Sequence, residues 1–194
     1  MRRTLRICVL ATSVAVFPGV LTAAGPRSAR DAITIENFGE VSPMYFRGAQ
    51  PEGADYVALA AFGVKTVIDL QRDGDASEKQ RVENAGMTFH RIPMTTHTPP
   101  TAQQLAEFLA LVNDPANQPV YVHCAGGRHR TGVMTAVYRM TEEGWTSDRA
   151  FKEMKQYKFG ADFLHPEFKK FVYAYGAEPA RETPAGVIAT VTVN

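Results

Sequence analysis

Apolar and polar positions alternate along this chain in blocks that predict strands separated by helices. Residues 65–70, 88–93 and 120–123 are short, mostly apolar runs bounded by turn residues, which is typical of buried strands. Between these runs, apolar side chains recur at helical spacing, and Thr101 is a suitable N-cap for one such segment. The spacing predicts helices over residues 52–62, 75–85, 101–112, 131–144, 147–157 and 166–175.

This alternation favours an α/β fold in which helices flank a central, mostly parallel sheet. The chain has 194 residues, 45% of them hydrophobic, which suits a single domain with an ordinary core. A formal charge of +1 gives no overall basic field, so we expect no nucleic-acid partner. We also expect a monomer. We place the domain at residues 35–176, followed by a loosely ordered tail at residues 177–194.

Residues 1–24 have the layout of a secretory signal peptide. A basic start with three arginines precedes an apolar stretch, and small residues up to Ala24 suit a signal-peptidase site. An uncleaved membrane anchor is the alternative, although Pro18 interrupts the apolar stretch. We therefore expect a periplasmic or secreted protein that is cleaved near Ala24 and then has no stable membrane contact.

Cleavage near Ala24 would leave a single cysteine in the chain. It would remove Cys8, change the formal charge from +1 to −2, and leave Cys124 without a partner for an internal disulfide. A free cysteine is often a small buried hydrophobic residue. An activated thiolate would suit nucleophilic or redox chemistry instead, but a redox cycle would lack a resolving cysteine.

The loop from Cys124 to Arg130 carries the most specific chemical signal. Cys124 follows a strand, five residues separate it from Arg130, and a helix begins there. Ligands of open α/β sheets bind at the carboxyl ends of strands, and a glycine-containing loop before a helix can direct backbone N–H groups at an anion. Arg130 can bind two phosphate oxygens, and positive surroundings favour the thiolate of Cys124. The loop therefore predicts a phosphate site with a nucleophile.

Two other chemistries fit this loop less well. A nucleotide-binding P-loop requires a lysine after its last glycine, and this chain has Val133 there. Zinc is disfavoured because His123, Cys124 and His129 lack the usual spacing of metal ligands. We therefore predict neither a metal nor a cofactor.

Residues 123–131 read H-C-A-G-G-R-H-R-T, which resembles the H-C-x5-R-[ST] signature of cysteine-dependent protein tyrosine and dual-specificity phosphatases. The loop is most similar to that of the atypical dual-specificity branch of plants, fungi and bacteria, and so are residues 37–51 and 63–70. The resemblance covers about residues 35–175. It implies a protein-tyrosine-phosphatase-like fold, with a phosphorylated small molecule or a phosphoprotein as substrate.

The resemblance also implies a role for each loop residue. Cys124 would attack phosphorus, Arg130 would hold the phosphoryl oxygens, and Thr131 would hydrogen-bond the sulfur and ease its departure from the cysteinyl-phosphate. The residues between them would bind the substrate phosphate: Ala125, Gly126, Gly127, Arg128 and His129. Arg128 and His129 would grip a polyphosphorylated ligand or, alternatively, pack within the loop.

The general acid of the family is missing from its usual place. These enzymes take it from an aspartate in the loop before the helix that precedes the catalytic strand, and this chain has Thr96 there. His97 is adjacent, and an imidazole is a suitable proton donor near neutral pH. Asp73 or Asp75 could also reach the site from a neighbouring strand end. The third possibility is that the chain uses no dedicated acid.

The sequence leaves substrate, turnover and the role of Arg47 open. Without an acid, aryl phosphates and phosphoanhydrides suffer least because their leaving groups need little protonation. This favours a phosphotyrosine-like or inositol (pyro)phosphate-like substrate over phosphoserine. The alternative function is a phosphate-binding module with little or no turnover. For Arg47 we predict a structural salt bridge rather than a role in the site.

Overall fold

The computed structural model describes residues 26–177. The signal peptide predicted at residues 1–24 and the tail after residue 177 lie outside the described residues. Within them the chain forms five strands: β1 (Gly39–Ser42), β2 (Tyr45–Gly48), β3 (Thr66–Gln71), β4 (Thr88–Met94) and β5 (Val120–His123). The helices are α1 (Pro26–Asp31), α2 (Asp55–Phe62), α3 (Glu78–Asn84), α4 (Ala102–Asn113), α5 (Arg130–Glu142), α6 (Ser147–Gln156) and α7 (Pro166–Ala177), with a 3₁₀ turn at Asp162–Leu164.

The strands form one sheet in the order β1-β2-β5-β3-β4. Only β1 runs antiparallel to its neighbour, and the other adjacent strands are parallel. The predicted α/β fold with a mostly parallel sheet is therefore confirmed. The register places both Gly48 of β2 and Asp69 of β3 opposite His123 of β5. The carboxyl ends of three strands consequently meet beside the loop that follows β5.

Helices cover both faces of this sheet. Because successive side chains of a strand point to opposite faces, Val122 of β5 packs in a cluster with α4 and α5, whereas Tyr121 packs with α2 and α3. A third cluster joins α5, α6 and α7. Within residues 26–177, no helix combines the length and apolar character needed to cross a membrane.

Several predicted boundaries shift in the structure. The sequence pattern missed β1, a short strand at the sheet edge. The predicted helix at 75–85 begins at Glu78, because Asp75 accepts a hydrogen bond from the backbone N–H of Ser77 and forms a turn instead. Thr101 caps α4 as predicted, and Gln104 completes a capping box with it.

Candidate active site

The loop after β5 has a backbone that requires glycine at one position. Cys124 lies at its start and is only 3% exposed, and Arg130 begins α5 at its end. Gly127 adopts φ +62°, and a Cβ there would lie 2.4 Å from the carbonyl carbon and oxygen of Gly48. The loop therefore packs directly on the end of β2, with no room for a side chain at this position.

Hydrogen bonds from the first part of the domain hold the loop carbonyls. Asn37 Nδ2 donates to the carbonyl of Gly126 at 2.7 Å, and Arg47 Nη2 donates to that of Gly127 at 2.6 Å. The backbone N–H of Gln50 donates to the carbonyl of Ala125 at 3.2 Å. In a trans peptide the carbonyl and the following N–H point in opposite directions. The same geometry directs the N–H groups of Gly126 and Arg128 away from these donors, whereas the N–H of Gly127 donates within the loop, to the carbonyl of Cys124 at 3.4 Å.

Arg47 has a structural position, as predicted, but its partners differ from the predicted ones. Its side chain is fully buried, and the guanidinium lies 3.9 Å from the centre of the Tyr157 ring. Among the described residues no carboxylate pairs with it, so the predicted salt bridge is wrong. Burial lowers the pKa of this guanidinium. Arg47 of β2 thus supports the loop that follows β5, and it contacts Tyr157 and the carbonyl of Gly127.

Arg130 is almost fully buried, and its guanidinium faces the loop after β3. Its Nη1 lies 3.1 Å from Asp73 Oδ1 and 3.3 Å from the carbonyl oxygen of Met94. The Asp73 side chain is 77% exposed, and the hydrogen bond from Arg130 lowers the pKa of its carboxyl. Asp73 therefore pairs with the Arg130 guanidinium, the group that we predicted to bind the substrate phosphate.

The other two candidate acids contact groups other than Arg130. Arg81 and the backbone of Ser77 bind the Asp75 carboxylate and hold its pKa well below its ordinary range. His97 is exposed and stacks on the ring of His165. Of the three candidates for the acid, only Asp73 has a recorded contact with Cys124 or Arg130, namely its pairing with Arg130.

The loop side chains of Arg128 and His129 have partners outside the loop, whereas Thr131 of α5 does not. His129 Nε2 lies 2.9 Å from the carbonyl oxygen of Phe159, and burial lowers the pKa of this imidazole. Arg128 pairs with Glu36 at 2.9 Å. Thr131 is fully buried, and its hydroxyl has no hydrogen-bond partner among the described residues. His129 thus packs against the segment at Phe159, and Arg128 pairs with Glu36. The Thr131 hydroxyl is available for a hydrogen bond with a ligand or with the Cys124 sulfur.

A buried cluster of two acidic residues and a histidine under the loop went unrecognised in the sequence. His123 Nε2 lies 3.0 Å from Glu78 Oε1, and its Nδ1 lies 3.9 Å from Asp69 Oδ1. Burial raises the pKa of Asp69, whereas Arg91 pairs with it at 2.8 Å. An acidic residue within an otherwise apolar strand was the signal that could have revealed Asp69. The cluster links β3 and α3 to the residue before Cys124.

A family model described as DSP-PTPase phosphatase fused to NAD+ kinase matches residues 27–170. The dual specificity protein phosphatase TpbA of Pseudomonas aeruginosa is 29% identical over 140 residues, which are 71% of this chain and 63% of the relative. The inositol diphosphatase SIW14 of Saccharomyces cerevisiae is 25% identical over 136 residues, 67% of this chain and 48% of the relative. The chain thus spans less than two thirds of either protein.

Similarity in structure agrees with similarity in sequence. The crystal structure of Pseudomonas aeruginosa TpbA superposes with a TM-score of 0.62 and 26% identity. The match covers 72% of this chain and 84% of the crystallised one. The sheet, the helices on its faces and the loop after the central strand therefore form a fold shared with known phosphatases.

Proposed function

The chain belongs to the DSP-PTPase phosphatase family, and from that premise we propose that it is an exported, cysteine-dependent phosphatase of phosphate monoesters. The observation that carries the proposal is the loop from Cys124 to Arg130. Cys124 is buried at the end of β5 and Arg130 at the start of α5, and three hydrogen bonds hold the carbonyls of Ala125, Gly126 and Gly127. A helix N-terminus, the Arg130 guanidinium and the Cys124 thiol are the groups that would bind and attack one phosphoryl group.

The reaction that this arrangement supports has two steps. The Cys124 thiolate attacks phosphorus, so that an S–P bond forms while the bond to the leaving oxygen breaks. Water then attacks the cysteinyl-phosphate, releases inorganic phosphate and restores the thiolate. Arg130 and the loop amides bind the phosphoryl oxygens in both steps, and the free Thr131 hydroxyl can donate a hydrogen bond to the departing sulfur.

Asp73 is our proposed donor of the proton to the leaving oxygen. It is paired with Arg130, which lowers the pKa of its carboxyl and favours the charged form. A bound phosphate dianion would take over Arg130 and place negative charge beside Asp73, and both changes favour the protonated carboxyl. His97 is the alternative donor, because its loop is the one that supplies the acid in the family.

Leaving groups distinguish these two candidates. Loss of a general acid costs about 10²–10⁴-fold for a leaving group that must be protonated, and much less for nitrophenolate. We expect Asp73→Asn to lower kcat for an alkyl phosphate within this range, with a small effect on para-nitrophenyl phosphate. His97→Ala should leave the ratio of kcat for the alkyl phosphate to kcat for para-nitrophenyl phosphate unchanged. The opposite result would assign the proton to His97, and equal ratios in all three proteins would indicate that neither residue donates it.

The groove beside the loop favours a phosphotyrosine-like substrate over an inositol (pyro)phosphate. Glu36, Glu52 and Asp55 line this groove together with Ala125 of the loop. Arg128, the cation that would grip additional phosphates, is already paired with Glu36. A highly anionic ligand would meet carboxylates here, whereas a peptide with basic residues would pair with them. A phosphotyrosine peptide with flanking Lys or Arg should therefore have a higher kcat/KM than an inositol pyrophosphate.

Hydrolysis of para-nitrophenyl phosphate tests the proposed activity. The assay compares the purified protein with Cys124→Ser, in the presence of reductant and a chelator. We expect turnover that survives chelation and disappears in the variant. Absence of turnover in both proteins, with vanadate still binding, would instead support the phosphate-binding module.

Export needs a separate test. The supporting observation is the basic and apolar pattern of residues 1–24, which predicts cleavage near Ala24 and a periplasmic or secreted enzyme. Expression of the full chain in a bacterial host should yield a processed protein in the periplasmic fraction. Unprocessed protein in the cytosol would contradict export and leave the phosphatase proposal intact.

A further inference from the structure

Three possible metal ligands converge at the edge of the catalytic loop, in a group that the proposed reaction does not use as a unit. His97 Nδ1 lies 3.5 Å from Glu167 Oε1, and His165 Nδ1 lies 3.4 Å from the same oxygen. All three donor atoms lie within 4.8 Å of one another. They come from two segments that are nearly seventy positions apart, so sequence spacing could not reveal them.

The distances in this group fit metal ligation and are long for hydrogen bonds. Hydrogen bonds between nitrogen and oxygen cluster at about 2.7–3.2 Å, and both contacts exceed that range. Zinc binds imidazole nitrogen and carboxylate oxygen at about 2.0–2.2 Å in tetrahedral geometry, which places neighbouring ligand atoms about 3.4 Å apart. The Glu167 oxygen lies at this distance from both imidazole nitrogens.

Packing around the group fixes two of the three ligands. The His165 ring is largely buried and lies 3.7 Å from the His129 ring and 5.9 Å from that of Phe168, measured between centroids. Glu167 lies in the first turn of α7, and its pKa is lowered although burial opposes this, in part by hydrogen bonds with its own backbone and His165. The His97 side chain is 70% exposed and leaves the group open to solvent.

Charge at the preceding 3₁₀ turn is already balanced. Lys155 and Lys169 both bind Asp162 at 2.7 Å, so these two cations are engaged away from the group. These two lysines therefore pair with Asp162, and the Glu167 carboxylate faces the two imidazoles. A carboxylate and two imidazoles form a ligand set that zinc sites in proteins use.

We propose that His97, His165 and Glu167 form a binding site for a divalent transition metal of the zinc class. Three protein ligands leave a fourth position for water or a small anion in a tetrahedral site. The bound metal joins the loop between β4 and α4 to the start of α7. Because His165 packs on His129, this metal link would lie directly beside the loop from Cys124 to Arg130. The site departs from the prediction of no metal made from sequence spacing.

The test uses metal binding and needs no turnover. Because the Cys124 thiolate is itself a strong zinc ligand, every protein carries Cys124→Ser, and Co²⁺ serves as the spectroscopic probe with Zn²⁺ in calorimetry. We expect one equivalent of Zn²⁺ and the visible absorption of tetrahedral Co²⁺. His97→Ala and Glu167→Gln should each weaken binding by about tenfold or more, on the scale of 10–100-fold that perturbing a metal site commonly costs.

His90→Ala is the matched control, because it removes a histidine of β4 that lies outside the group. It should keep the affinity and the Co²⁺ spectrum. Thermal midpoints without metal show that His97→Ala and Glu167→Gln are folded. Absence of binding, or binding that survives in both of these folded variants, would overturn the proposal. Neither result bears on phosphatase activity, which is measured with Cys124 present and with chelator.

Discussion

Substitution of Gly127 by alanine gives the sharpest structural prediction for the catalytic loop. The backbone φ of +62° costs an L-residue about 1–2 kcal/mol. The new Cβ would lie 2.4 Å from the Gly48 carbonyl and 2.7 Å from the Ala49 nitrogen. These are backbone atoms of β2 and its end, which no side-chain rotation can move, and such overpacking costs about 1–3 kcal/mol.

The two costs together predict a loss of about 2–5 kcal/mol in the free energy of unfolding. For a domain of this size, this corresponds to a fall in Tm of about 4–20 °C. If the loop shifts to relieve the contact, stability recovers but the amides and Arg130 move. A displacement of about 1 Å at a reacting group costs about 100-fold in rate. Either Tm or kcat must therefore fall substantially.

Gly126→Ala is the control for this substitution. Gly126 belongs to the same loop, but a Cβ there has as its nearest contact the flexible Arg128 side chain, at 3.3 Å. Differential scanning calorimetry and para-nitrophenyl phosphate turnover would be measured on both variants. If Gly127→Ala matches Gly126→Ala in both Tm and kcat, the proposed close packing of the loop on β2 is incorrect.

Three further variants test the surroundings of the loop. Glu78→Gln should lower the free energy of unfolding at neutral pH by about 1–3 kcal/mol. Burial alone would raise the pKa of Glu78, but contact with His123 keeps this pKa below its ordinary value of 4.5. The loss in free energy of unfolding, measured by denaturant titration, should therefore shrink as the pH falls below 4.5. An equal loss at every pH would contradict a stabilising role of the Glu78 charge. Asp73→Asn should tighten inhibition by inorganic phosphate about two- to fivefold, because Arg130 loses an exposed partner, and weaker inhibition would contradict this. Arg47→Met should lower kcat more than it changes KM, since it removes a hydrogen bond to the loop backbone and no contact with substrate.

The sequence was sufficient to predict the central strands of the sheet and the loop because both depend on local patterns. Apolar runs bounded by turns mark β3 and β5, and the spacing from Cys124 to Arg130 is contained in one strand–loop–helix segment. Thr101 was recognisable as a cap because capping depends on residues three positions apart. These features need no knowledge of contacts between distant segments.

Contacts between distant segments are what the sequence could not provide. Arg47 was expected in a salt bridge, but the fold places it under the carbonyl of Gly127, eighty positions away. The pairing of Arg130 with Asp73 depends on the order of β5 and β3 in the sheet. The meeting of His97 with Glu167 depends on the packing of α7. Single residues were candidates in the sequence, and their partners became visible only in the fold.

The most direct test of the central claim is to trap the phosphorylated enzyme. The protein would be mixed rapidly with para-nitrophenyl phosphate, quenched in acid during turnover, digested and analysed by mass spectrometry. We predict one phosphoryl group on the peptide that contains Cys124, and none on that peptide in Cys124→Ser. Turnover without a phosphoryl group on Cys124, or turnover that persists in Cys124→Ser, would contradict a cysteinyl-phosphate mechanism.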